Sequence, residues 1–112
     1  MPTFKRHEVV VVPFPFTDRR AAKRRPALIL SEPTSLALDK SILAMITSSS
    51  HQPWPLDVTI EDLEAAGLNA PSIVRMKLFT LDNSLILKTI GKLSERDAEE
   101  VSFNLSQAFG LI

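Results

Sequence analysis

The sequence contains no cysteine. Disulfides and thiolate metal sites are therefore excluded, and a reducing, cytoplasmic setting is the simpler expectation. Only three glycines occur among 112 residues, and they are scattered, so no glycine-rich loop is available to cradle nucleotide phosphates. Long apolar runs are also missing. Residues 9–16 form a short stretch interrupted by Pro13 and Pro15, far below the length of a membrane span. Lys5, Arg6 and Glu8 stand near the amino terminus with no small-residue cleavage site after them, so a signal peptide is not expected. No His, Asp or Glu cluster has metal-ligand spacing, and neither a metal nor another cofactor is expected.

Hydrophobic residues make up 45% of the chain, the level of a folded globular protein. At this length the expectation is one domain over residues 1–112, because smaller pieces could not bury a core. The 13 basic and 13 acidic residues balance, which argues against sequence-indifferent coating of nucleic acid. The distribution is uneven, however. Residues 1–26 carry seven basic groups against Glu8 and Asp18, a local charge of +5 that the remainder cancels. That concentration suggests a localised anion site in the basic loop at residues 17–25.

The order of local patterns predicts a mainly β chain closed by a helix. The β-branched residues 8–13 read as a buried strand that ends or bends at its prolines. Residues 26–30 read as a second strand with Pro26 at its first position, and residues 42–47 as a third. Residues 57–60 alternate as a fourth strand. A helical turn or two over residues 61–67 is closed by Gly67. Residues 72–81 and 85–93 are the fifth and sixth strands. Ser94 with Asp97 resembles a capping box, and Ala98, Val101, Leu105, Ala108 and Phe109 then recur at helical spacing before Gly110. Six short strands and one helix suggest a small, strongly curved antiparallel sheet or partial barrel.

Four groups of residues have chemistry to offer. Arg24 and Arg25 present planar donor forks suited to phosphate oxygens, with Pro26 pinning the backbone behind them, although a solvated basic loop has the same composition. Thr47, Ser48 and Ser49 end the third strand, where hydroxyls bond phosphate or simply make a turn. His51 has the type of a general acid or base near neutral pH, yet no acid adjoins it, and a surface histidine is the plainer reading. His7 has weaker credentials. Trp54, between two prolines, either stacks on a base or anchors its loop. Glu61, Asp62 and Glu64 read as a solvated turn.

Taken in order, several stretches resemble the MazF/PemK family of toxins from type II toxin–antitoxin systems. They are VVVVPFPFTD (9–18), KRRPALILS (23–31), ILAMITS (42–48), AGL (66–68), SIVR (72–75), KLFTLD (77–82) and IGKLS (90–94). None is specific alone; the ordered set covers almost the whole chain. The resemblance implies an SH3-like, partly open barrel of antiparallel strands with a C-terminal helix, assembled as a homodimer. It implies a sequence-selective, metal-independent endoribonuclease acting on single-stranded RNA. A cognate antitoxin would block the RNA groove, and operon DNA would be reached only through that antitoxin. No membrane role is implied. Arg25 and Thr47 match the family's catalytic pair, and Thr17, Arg19, Arg20, Lys23, Arg24, Ser48, Ser49, His51, Trp54 and Lys77 fall where RNA would be held.

Two departures stand out. Many relatives begin the first strand with Gly-Asp, where this chain has His7-Glu8. Some carry a glutamate in the loop before the arginine as a base, and here that loop has only Asp18. Asp18, His51 or solvent remain the candidates for the base. The alternative function is a non-catalytic module on the same fold, binding RNA or a protein such as gyrase, because fold alone does not settle function.

Overall fold

The computed structural model describes residues 2–14, 23–36 and 39–111. Its elements in chain order are β1 (Glu8–Phe14), β2 (Lys23–Ile29), β3 (Lys40–Ser48), β4 (Val58–Thr59), α1 (Leu63–Ala66), β5 (Ser72–Asp82), β6 (Lys88–Lys92) and α2 (Glu95–Ala108). The strands form one sheet in the order β4-β5-β3-β2-β1-β6, and each neighbouring pair is antiparallel. The sheet curls into a half-barrel with the C-terminal helix packed on it, as the pattern of strands and helix predicts.

Both faces of the sheet are buried, which is why β1 reads as a continuous valine run rather than an alternation. Val9, Leu28, Ala44, Ile46, Val58 and Val74 point to one face and pack with Val101 of α2 and Ala66 of α1. Val10, Val12, Ala27, Ile29, Leu43 and Leu81 point to the other and pack with Phe4 and Ile86. β1, β2, β3 and β5 feed both cores through their period of two.

Several boundaries differ from the sequence expectation. Pro13 lies inside β1, paired with Arg24, and Pro26 lies in the middle of β2, opposite Val11. The β2–β3 ladder begins only at Ala27. At Pro26 the strand thus has one partner rather than two, the edge-like setting in which a missing N–H is tolerated. As a result Lys23, Arg24 and Arg25 belong to a strand, not to the loop before it. The sixth strand is shorter than expected because Asn83–Leu85 forms a single 3₁₀ turn. In α2, Val101 is buried and Ala98 and Leu105 pack against the first core, but Ala108 and Phe109 are exposed.

The helix start is also more consequential than a capping box. Ser94 Oγ accepts from Asp97 N as expected (3.2 Å). The Asp97 carboxylate is fully buried and turns the other way, to accept from the backbone N–H groups of Glu61 (3.1 and 3.2 Å) and Asp62 (3.0 Å). It therefore ties α2 to the segment that starts α1, where Asp62 in turn caps Ala65 N (3.0 Å). At the other end of α1, Gly67 has φ +74°, and a Cβ there would lie 2.0 Å from the Ile90 carbonyl oxygen. A Cβ on Gly91 would meet the Ala66 backbone at 2.3 Å. These two glycines allow α1 and β6 to touch backbone to backbone.

His7 stands at φ +75°, a left-handed conformation that a residue with a Cβ adopts at a cost. Its N–H donates to Ile29 O (2.7 Å) and its carbonyl accepts from Leu93 N (3.0 Å), so the turn cannot relax without losing sheet bonds. The glycine common at this position in the resembling family is thereby explained by backbone geometry.

Asp97→Ala should leave two backbone donors unsatisfied and lower stability by about 2–5 kcal/mol, read from urea unfolding midpoints. Asp97→Asn, which keeps an acceptor, should cost less. Equal stability of Asp97→Ala and the parent protein would contradict this role.

Candidate active site

The second face of the sheet continues past its apolar core into a polar end. By alternation, Phe14 follows Val10 and Val12, Arg25 precedes Ala27 and Ile29, and Met45 and Thr47 follow Leu43. The Ala27↔Met45 pair ends the β2–β3 ladder, and Arg25 and Thr47 each lie two residues beyond it on their own strands. A bulge completes the arrangement. β3 pairs Ala44 with Leu78 but Met45 with Arg75, leaving Met76 and Lys77 without partners on β3. Bulges re-aim side chains, and Lys77 here lines the same concavity as Phe14, Met45, Thr47, Trp54 and Arg75. That cavity has a volume of about 200 Å³.

Arg25 is half-buried, and its guanidinium carbon lies 5.3 Å from the centroid of the Phe14 ring. Such cation–π packing restrains a long side chain without consuming its donors. Thr47 Oγ1 lies 2.8 Å from His51 Nδ1, so the loop after β3 folds its imidazole back onto the strand. Ser48 Oγ bonds Ser50 Oγ (2.8 Å) and accepts from Ser50 N (3.2 Å), and Ser49 N donates to Pro71 O (3.2 Å). These serines are exposed and shape a turn. Lys23 and Arg24 are exposed at the start of β2. Thr17, Asp18, Arg19 and Arg20 lie outside the described residues.

Sequence reasoning missed the residues that hold this region together. Arg75 is buried on β5 and forms a two-point pair with Asp57: Nε donates to Oδ1 (3.2 Å) and Nη2 to Oδ2 (3.0 Å). Nη2 also donates to Gln52 O (2.8 Å). Trp54 N donates to Asp57 Oδ2 (2.8 Å), and the Arg75 guanidinium carbon lies 4.7 Å from the Trp54 ring centroid. One ion pair thus fixes the loop that carries His51, Gln52 and Trp54. Burial raises the Asp57 pKa, but the hydrogen bonds from Arg75, the Trp54 backbone N–H and the Arg75 charge outweigh it and hold the carboxyl below its ordinary value. The hydrogen bond to Asp57 raises the Arg75 pKa in turn. The available signal was an arginine set within the apolar run Ile73-Val74-Arg75-Met76, which demands a buried acid partner.

Among the described residues, no group of three or more His, Asp or Glu is placed to hold a metal ion, and no helix is long and apolar enough to cross a membrane.

Breaking a buried pair costs about 3–5 kcal/mol, so Asp57→Asn should destabilise the protein by an amount near that range at pH 7. A lowered carboxylate pKa adds stability that is complete above the unfolded value of about 3.9. It is lost as pH falls through the folded value. The gap between parent and variant in urea titrations should therefore close toward strong acid; a gap independent of pH would contradict the pair's contribution.

The fold has clear counterparts. A toxin from Mycobacterium tuberculosis, MazF-mt6, superposes with a TM-score of 0.72 at 23% identity, covering 92% of this chain and 96% of that one. A mycobacterial endoribonuclease in complex with its cognate antitoxin gives 0.75 at 15% identity, covering 98% and 96%. A MazE–MazF complex from Deinococcus radiodurans gives 0.73 at 17% identity, covering 98% of each chain. No curated protein matches the chain in sequence. The model of the PemK-like, MazF-like toxins of type II toxin–antitoxin systems matches residues 5–109, and the chain belongs to that family.

Proposed function

We propose that this protein is a toxin that cuts single-stranded RNA, through attack of a ribose 2′-OH on the adjacent phosphorus. The observation that carries the reading is the Thr47–His51 contact beside the cavity that Phe14 lines, with Arg25 packed on the Phe14 ring. RNA brings its own nucleophile, so the protein needs no covalent one and no metal-bound water. As the 2′-oxygen bonds to phosphorus, the 5′-oxygen leaves and negative charge grows on the non-bridging oxygens. Arg25, charged at every physiological pH and steadied by Phe14, stabilises that charge. Thr47 orients the phosphate by donating its hydroxyl hydrogen.

The Thr47–His51 contact supports a route for the proton. If His51 Nδ1–H donates to Thr47 Oγ1, the threonine hydrogen is free for phosphate and the His51 Nε2 lone pair is free to take the 2′-OH proton. The imidazole would then serve as the base that the loop, lacking a glutamate, does not supply. Lys23 and Arg24, with Arg19 and Arg20, add backbone-phosphate contacts that are electrostatic rather than chemical. Related structures are complexes with an antitoxin. By extension, an antitoxin segment covers this face in the inactive complex, and the active toxin is a cytoplasmic homodimer.

Purified protein should cleave single-stranded RNA in the presence of EDTA. Arg25→Ala should lose about a hundredfold or more in rate; undiminished cleavage would overturn the assignment. His51→Ala should lose about a hundredfold in rate. An unchanged rate would transfer the role to Asp18 or solvent.

A further inference from the structure

The cavity beside Thr47 has features that a phosphate site does not need. Trp54 is about half exposed, yet its surroundings are rigid. Its N–H is held by Asp57, its carbonyl accepts from Asp57 N (3.3 Å), and prolines flank it on both sides. One face of the indole is backed by the Arg75 guanidinium, which Asp57 and Gln52 fix in place. An aromatic ring ordered before a ligand arrives saves the entropy of ordering it on binding. Phe14 and Met45 supply apolar walls. The volume of about 200 Å³ lies below the range of about 300–1,000 Å³ typical of drug-sized sites, which suits one flat ring rather than a whole nucleotide.

The polar groups of the lining are unequal in kind. Lys77 is exposed and has no ion-pair or hydrogen-bond partner among the described residues. Arg75 Nη1 makes no hydrogen bond there either, while Nε and Nη2 are committed. Both are donors only. The nearby carboxylate, Asp57, has both oxygens engaged by Arg75 and by Trp54 N. Among the described residues no side-chain carboxylate or amide lines the cavity, and the hydroxyl oxygen there, Thr47 Oγ1, is already in contact with His51.

We infer that this cavity is a specificity subsite for one keto base of the RNA, uracil or guanine. The base stacks on the free face of Trp54 and turns its ring carbonyl to Lys77 and Arg75. Cytosine and adenine present an exocyclic amino group at the equivalent edge. Such a donor finds no open side-chain acceptor among the described lining residues, and it would bury unpaired against cationic groups. The inference rests on the reading of this face as an RNA site, and it adds which chemistry of base the site accepts.

Trp54 is the only tryptophan in the chain, so its fluorescence reports stacking directly. The probes are 2′-O-methyl hexamers of uridine, cytidine, inosine and adenosine, which bind but lack the nucleophile. Uridine should quench and bind at least about fivefold more tightly than cytidine. Inosine, which differs from adenosine by a carbonyl in place of the amino group, should likewise bind more tightly than adenosine. Lys77→Met should shrink both ratios while quenching persists. Equal affinities within each pair, binding seen by anisotropy without quenching, or no binding to any probe would each overturn the subsite. Cleavage of natural RNA by the same preparation separates the two claims. Cleavage without keto discrimination sinks the subsite alone, whereas discrimination without Arg25-dependent cleavage sinks the nuclease reading alone.

Discussion

Asp57 and Arg75 meet through two hydrogen bonds on the polar end of the sheet, and both side chains are almost withdrawn from water. Removing two charges from solvent is costly, and such pairs often contribute little net stability compared with apolar packing. What this pair supplies is position. Arg75 belongs to β5, whereas Asp57, Gln52 and Trp54 belong to the long connection between β3 and β4. The pair acts together with the Ser49 N–Pro71 O and Asn104 Nδ2–Leu56 O hydrogen bonds, which tie the two ends of that connection. With these contacts, the loop is held at its middle and its ends, and His51 is close enough to reach Thr47.

The same constraint organises the electrostatics. The carboxylate neutralises most of the Arg75 charge, so the uncompensated positive charge of this face falls on Arg25 and Lys77. Arg25 shares its strand with Lys23 and Arg24, which are exposed and extend a positive field from the start of β2. A balanced chain can thus present a local basic surface without binding polyanions indiscriminately. The opposite face carries none of this burden. There Asp97 closes the packing of α2 on α1, and the glycine contact between α1 and β6 seals the edge.

The elements were legible where one local force dominated. The valine run, the Ser94–Asp97 helix start and the Gly67 stop each follow from propensity or capping, and each appears in the fold. Strand limits at Pro13 and Pro26 were not legible, because whether a proline is tolerated depends on how many neighbours a strand has at that point. The exposed end of α2 escaped for a related reason: periodicity shows which residues share a stripe, not how far the core extends beneath it. Arg25, Thr47, His51, Trp54 and Lys77 could be named from residue type and resemblance. Their connection could not. Asp57 and Arg75 are 18 positions apart, and only the fold brings them together. Lys77 reaches the cavity through a bulge whose location no local pattern announces.

The central claim is that this face carries out transesterification on RNA with Arg25 as the charge-stabilising group. Mapping the ends of RNA cut by the purified protein tests it most directly. The account predicts a 2′,3′-cyclic phosphate (or the 3′-phosphate formed from it) on one fragment and a 5′-hydroxyl on the other, with the same ends produced far more slowly by Arg25→Ala. Fragments bearing a 5′-phosphate and a 3′-hydroxyl would require attack by water rather than by the ribose, and would contradict the account.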